Sequence, residues 1–342
     1  MVSSVSHQSR IANVVLPAAG TACWVPADSA DDSADDSADD SAYGANMSLA
    51  GSIVSTVLPP APMPVYGWPD STSNDPGYFG PGSLTWRIHA DPGAAVAGVR
   101  AIFMQSLHPQ AMAGVARYSD YREDPWRRLG RTAQYIGAIS FGTCDEADRV
   151  SAAVRSVHAR LGVDAADLLA WVHYGFVDSM LSVTRRGGLR LSDEQADRYV
   201  AEQVQAAKLI GLSEADVPHD VKGLRDYLTQ VRPVLRATAE ARDAARFILV
   251  PPMDSRVRWF TPAQPLWSGL TTTAFAALPR WARRMFGDGI VGELLGGVPL
   301  LSDVSTTVAL RSWRRSFAAL PTELRKGPYV SAAEKRLDLT VL

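Results

Sequence analysis

Cysteine is scarce: only Cys23 and Cys144 occur in the 342 residues. Two thiols make neither a disulfide framework nor a zinc ligand set, and a reducing compartment, the cytoplasm, is the simpler expectation. Long apolar runs are missing as well. No stretch approaches the 18 or so residues of a membrane span, so no transmembrane segment is expected. Ile11 to Ala22 is apolar, but a single Arg precedes it, Pro17 interrupts it, and Gly20 stands where a lipoprotein site usually has Leu; a secretory leader is therefore discounted. Glycine patterns of the P-loop or dinucleotide-binding type do not occur. No Glu-x-x-His pair falls on an expected core helix, which argues against a carboxylate-held iron site. Basic residues do not cluster with aromatics, and the net charge is −2, so no nucleic-acid partner is expected. Sustained period-two alternation is lacking too, which excludes a β-rich fold.

What remains is a helical chain behind an unusual leader. Residues 28–42 run as Asp-Asp-Ser-Ala repeats holding seven of the 36 acidic residues, and a Pro-rich stretch follows around Pro59 to Pro64. Without this segment the chain carries fewer acids than its 34 bases and is mildly positive. Residues 1–75 have too little apolar content to offset ordering entropy and are expected to be a disordered extension. Residues 76–342, in a chain that is 46% hydrophobic with nine Trp, are expected to form one helical domain with room for a small cofactor.

Capping signals and apolar spacing predict helices over about 91–107, 109–117, 124–140, 146–161 and 164–185. The first opens on Asp91-Pro92, and His108-Pro109 interrupts it. Ser192 with Gln195 reads as a capping box for a helix reaching Leu209. Further helices are expected near 220–231, 234–248, 266–287 and 305–318. The fold class is all-α.

Two helices carry motifs with chemistry. Arg128, Arg131, Thr132 and Tyr135 fall at i, i+3, i+4 and i+7, forming a polar face in an apolar segment. In Val154-Arg155-Ser156-Val157-His158, the imidazole lies on the stripe marked by Val154 and Leu161, where a buried ring needs a partner. The short connection Phe141 to Asp145, with Asp145 read as N-cap, makes the two helices antiparallel neighbours. Thr132 should stand roughly 16 Å and His158 roughly 22 Å from the turn. A flat cofactor fits between them. The bland reading of His158 and His173 is a core histidine bonded to a carbonyl; His108 at a helix break should satisfy nearby backbone, and His89 and His219 read as surface residues. Trp86 and Trp171 read as packing residues.

In these motifs the chain resembles the rubber-oxygenase catalytic domain family, which includes latex-clearing proteins and MpaB-type oxygenases. Tyr78 to Ser83 with Thr85-Trp86-Arg87, Leu107-His108-Pro109, Ala113-Gly114-Val115, Trp171-Val172-His173 with Asp178-Ser179, and Leu278-Pro279 through Arg284 and Gly287 extend the resemblance over roughly 76–325. The resemblance implies a globin-like helical core around one haem b whose iron is held by His158, the histidine of the family's Val-Arg-x-x-His context. His173 and Arg155 are candidate cofactor-binding residues. Arg128, Arg131 and Thr132 match the family's distal Arg-x-x-Lys-Thr, with arginine where latex-clearing enzymes have lysine. A guanidinium stays protonated and cannot ligate iron, so a lysine-capped state is not expected. The implied function is a haem-dependent oxygenase using O₂ on a hydrophobic, isoprenoid or alkene substrate. The competing readings are a haem peroxidase or dehydrogenase of a specialised metabolite and a haem-binding sensor or carrier without turnover.

Overall fold

The computed structural model describes residues 69–119, 121–253, 255–256, 263–287, 303–320 and 325–339. The acidic repeat and most of the expected extension lie outside them. Residues 69–75 are already tied to the core: the Asp70 N–H donates to Glu146 Oε1 at 2.8 Å, and Arg336 donates to the carbonyls of Asp70 and Asp75 at 2.8 and 2.7 Å.

Thirteen α-helices, and no strand, occur among the described residues. They are α1 (Leu84–His89), α2 (Ala94–Gln105), α3 (Pro109–Tyr118), α4 (Pro125–Phe141), α5 (Cys144–Leu161), α6 (Ala166–Arg186) and α7 (Asp193–Leu209), followed by α8 (Val221–Val231), α9 (Ala239–Leu249), α10 (Ala263–Ala276), α11 (Arg280–Phe286), α12 (Asp303–Ala318) and α13 (Pro328–Arg336). The all-α expectation is met. None of these helices is long and apolar enough to cross a membrane.

The boundaries follow local chemistry. Ser192 and Gln195 close the expected capping box on α7. Helix α5 begins earlier than expected because Thr143, not Asp145, is its N-cap, in a second capping box with Glu146. Asp91 does not cap a helix at Pro92; its carboxylate accepts from the Gly93 N–H at 2.8 Å, and α2 starts at Ala94. The single helix expected over 266–287 is two, because Leu278-Pro279 breaks it; a residue before proline is pushed out of the helical region. Helices α1 and α13 were not expected, being short and flanked by weak signals.

The core is built on α2 against α6. Val96, Phe103 and Met104 meet Trp171, Tyr174, Val177 and Met180, all nearly inaccessible. Gly175 faces Gln105 and Met104 across this crossing. Trp171 donates its indole N–H to the Gln105 carbonyl at 3.1 Å. Arg100 is buried in this layer, where it pairs with Asp178 at 2.8 Å and donates to Ser179 Oγ and the Ala277 carbonyl. A second cluster packs Trp86 edge-on against Phe141 at 5.0 Å, with Ile139, Val150 and Tyr329, and seats the turn between α4 and α5.

Cys144, at the first turn of α5, is disulfide-bonded. This corrects the reading of two reduced thiols. It is the sole cysteine among the described residues.

Candidate active site

Helices α4 and α5 form the antiparallel pair expected from the short connection, and burial along them is uneven. At the turn, Ala138 to Phe141 and Cys144, Glu146, Ala147, Val150 and Ser151 are buried. Away from it, no residue of 125–137 or 152–161 is fully buried. The closed end therefore belongs to the core, and the open end presents a half-buried inner face. Arg128, Arg131, Thr132, Val154, His158 and Leu161 all lie there, half-buried.

The count from the turn that sets Thr132 at roughly 16 Å sets Arg128 nearer the level of His158. Arg128 and His158 stand roughly equally far from the turn, about 21–23 Å along their helices, so Arg128 rather than Thr132 comes opposite the histidine. Electrostatics agrees. The His158 imidazole is held below its ordinary pKa, first by burial and then by the Arg128 charge, against a smaller opposing pull from Asp164. It is therefore neutral at neutral pH, and no described group hydrogen-bonds its ring. Arg128 Nη1 donates to Thr132 Oγ1 at 2.6 Å, which orients the guanidinium and the hydroxyl together on this face. Arg131 sits one turn along the same helix.

The other two candidates lie elsewhere. Arg155 is exposed and donates to the Leu209 carbonyl, capping the C-terminal end of α7 against α5. His173 is buried on α6, 3.1 Å from the Gln203 carbonyl through Nε2; a carbonyl only accepts, so the proton is on Nε2. Burial pulls its pKa down to about 4 despite that bond.

Sequence reasoning missed a buried polar network around His173. His89, expected at the surface, is half-buried with both ring nitrogens engaged: Nδ1 lies 2.6 Å from Ser140 Oγ and Nε2 3.0 Å from the Tyr199 hydroxyl. Burial, and then the neighbouring His173, lower its pKa to about 3. Gln203 donates to Thr85 Oγ1, which donates to Glu202 Oε2, and the same carboxylate accepts from the Leu84 and Thr85 N–H groups at the start of α1. A histidine ending a short helix carries no sequence signal that distinguishes it from a solvated one. His108 departs from expectation too: it is buried, and its Nδ1 has no partner. His219 is exposed, as expected, and Trp86 and Trp171 are buried packing residues.

Helices α1 to α11 coincide with a recognised unit. The family model described as "ER-bound oxygenase mpaB/B'/Rubber oxygenase, catalytic domain" matches residues 86–291. The chain belongs to this family. As a member of an oxygenase family it is an oxidoreductase by class, which implies a small-molecule substrate and O₂. No curated protein and no solved structure matches the chain.

Proposed function

We propose that this mpaB/rubber-oxygenase family member is a haem b-dependent oxygenase acting on a hydrophobic, isoprenoid or alkene substrate, with His158 as the iron ligand. The observation that carries the reading is a neutral imidazole, free of hydrogen-bond partners among the described residues, opposite an arginine and a threonine at the open end of a helix pair. The residues fit the group. A porphyrin supplies four ligands itself, so its iron needs one protein nitrogen, and among the described residues no cluster of three or more His, Cys, Asp or Glu forms a metal set of another kind. The half-buried faces of α4 and α5 offer both apolar and cationic surface to a flat, partly charged ring.

When bound, haem supplies the redox chemistry of O₂ that no side chain here provides. The protein's contribution is positional and electrostatic. His158 would hold the iron through a nitrogen kept unprotonated by burial and by Arg128. Thr132 would hold the Arg128 guanidinium in place, its hydroxyl accepting from Nη1 and donating to the Arg128 carbonyl, and Arg131 would add a fixed cation that favours negative charge developing at this face. Arg155 and Arg128 are the guanidinium groups available to haem carboxylates, with Arg155 already serving as a helix cap. His173 is a neutral group bonded to the Gln203 carbonyl and would stand next in line to hold the iron should His158 not do so. The hydrophobic substrate rests on the family description, which names rubber, a hydrocarbon. A cytoplasmic location rested on two free thiols, and the bonded Cys144 removes that support.

The deciding experiment is an absorption spectrum of protein expressed with ample haem. A Soret band and about one haem b per chain are expected; colourless, folded protein would overturn the reading. Product analysis under ¹⁸O₂ then separates an oxygenase, which incorporates label, from a peroxidase, dehydrogenase or carrier.

A further inference from the structure

A cavity of about 560 Å³ opens between the C-terminal half of α6, helix α8 and the start of α11, away from the α4/α5 pair. Its walls carry five arginines against two aspartates, a surplus of three positive charges. The pairing is unequal. Asp178 is taken by Arg100 at 2.8 Å. Asp303 is shared by Arg280 at 2.8 Å, Arg283 at 3.6 Å and Arg186 at 3.7 Å. Arg225 and Arg232 are left with no carboxylate among the described residues.

Arg232 is the most telling of these. Its guanidinium lies over the Trp281 ring, 4.7 Å from the centroid, while its Nε is shut off from solvent with no hydrogen-bond partner. A buried N–H on a charged group is costly to leave unpaired, so such a donor points to an acceptor from outside the chain. The local field has the matching sign. The Arg186 pKa is lowered by burial first and, against the pull of Asp303, by the nearby charges of Arg283 and Arg100. Leu228, Leu278 and Trp281 add an apolar wall on which an uncharged body would rest.

We propose that this cavity is a binding site for a phosphoryl oxyanion, held by Arg225 and Arg232 with Arg280 at the rim. Three surplus charges suit a diphosphate better than a single carboxylate, and guanidinium forks grip phosphate oxygens in pairs. The site is independent of the haem reading. Its ligand is either a soluble phosphorylated metabolite or the headgroup of an anionic lipid.

The test uses the full chain, with inorganic pyrophosphate titrated calorimetrically at constant ionic strength, and cosedimentation with phosphatidylcholine vesicles with or without phosphatidic acid. Saturable binding of one pyrophosphate per chain is expected, weakened at least about tenfold by Arg225→Gln and by Arg232→Gln and unchanged by Arg160→Gln on the exposed face of α5. Arg225 is exposed, so its variant should fold, which circular dichroism verifies. Pyrophosphate binding alone assigns a soluble ligand. Retention on phosphatidic acid vesicles with the same arginine dependence assigns a lipid headgroup. Absence of both, or binding that ignores the two substitutions, overturns the proposal, and haem content measured alongside separates that failure from one of the oxygenase reading.

Discussion

At the scale of single residues, His158, His89 and His173 are all held below the ordinary imidazole pKa and share one demand, that the pH stay high enough to keep them neutral. His158→Ala is expected to purify with little or no haem while melting near the parent apoprotein temperature; retained haem with an unchanged spectrum would assign the ligand elsewhere, His173 next. Arg131→Ala should keep haem and lose oxidation rate by roughly 10²-fold if its charge acts as a preorganised contact; full activity would return Arg131 to a structural role. His89 and His173 are folded in with values near 3 and 4, below the ordinary 6.5. The unfolded chain therefore binds protons more readily. Their contribution to stability is complete above about pH 6.5 and is lost as pH falls towards 4, by roughly 1.4 kcal/mol per unit for each ring. Urea midpoints between pH 7.5 and 4.5 should show this slope, and His173→Gln should reduce it. A flat profile would mean that these rings are not buried neutral.

Among elements, the α4/α5 pair depends on its turn. Glu146 accepts from the Asp70 and Thr143 N–H groups at 2.8 Å each, joining the entering chain to the capping box. Thr143→Ala should cost about 1 kcal/mol and Glu146→Ala more, because two donors, the Thr143 N–H buried and the Asp70 N–H half-buried, lose their acceptor. Gly77 closes the same corner at φ +76, with a Cβ only 2.1 Å from the Gly142 carbonyl oxygen, so Gly77→Ala should be worse than either. Equilibrium unfolding checks this ranking. A bonded Cys144 should resist thiol reagents in unreduced protein and react after reduction and unfolding; prompt labelling of the native protein would show a free thiol.

For the molecule as a whole, the α2/α6 crossing and the Arg100–Asp178 pair hold the layers that position both proposed sites. Arg100 is buried and Asp178 half-buried, so Asp178→Asn leaves a buried guanidinium uncompensated and should destabilise by roughly 3 kcal/mol at most, and Trp171→Ala by roughly 3–5 kcal/mol through cavity formation. Loss on that scale, read from urea unfolding, should leave the Soret spectrum of the protein that remains folded unaltered.

Helix existence was legible in the sequence because apolar spacing and capping residues act locally: Ser192 with Gln195, the break at His108-Pro109, and the lack of alternation together settled the all-α class. The facing of α4 and α5 was legible too, since a short connection leaves few geometries. What spacing did not give is the proximity of the Arg128 charge to His158, which lowers the imidazole pKa. Nor could spacing reveal that His89 pairs with Ser140 and Tyr199, or that Arg225, Arg232 and Arg280 converge. Those groups come from helices far apart in the chain, and only the packing that buries the apolar faces brings them together.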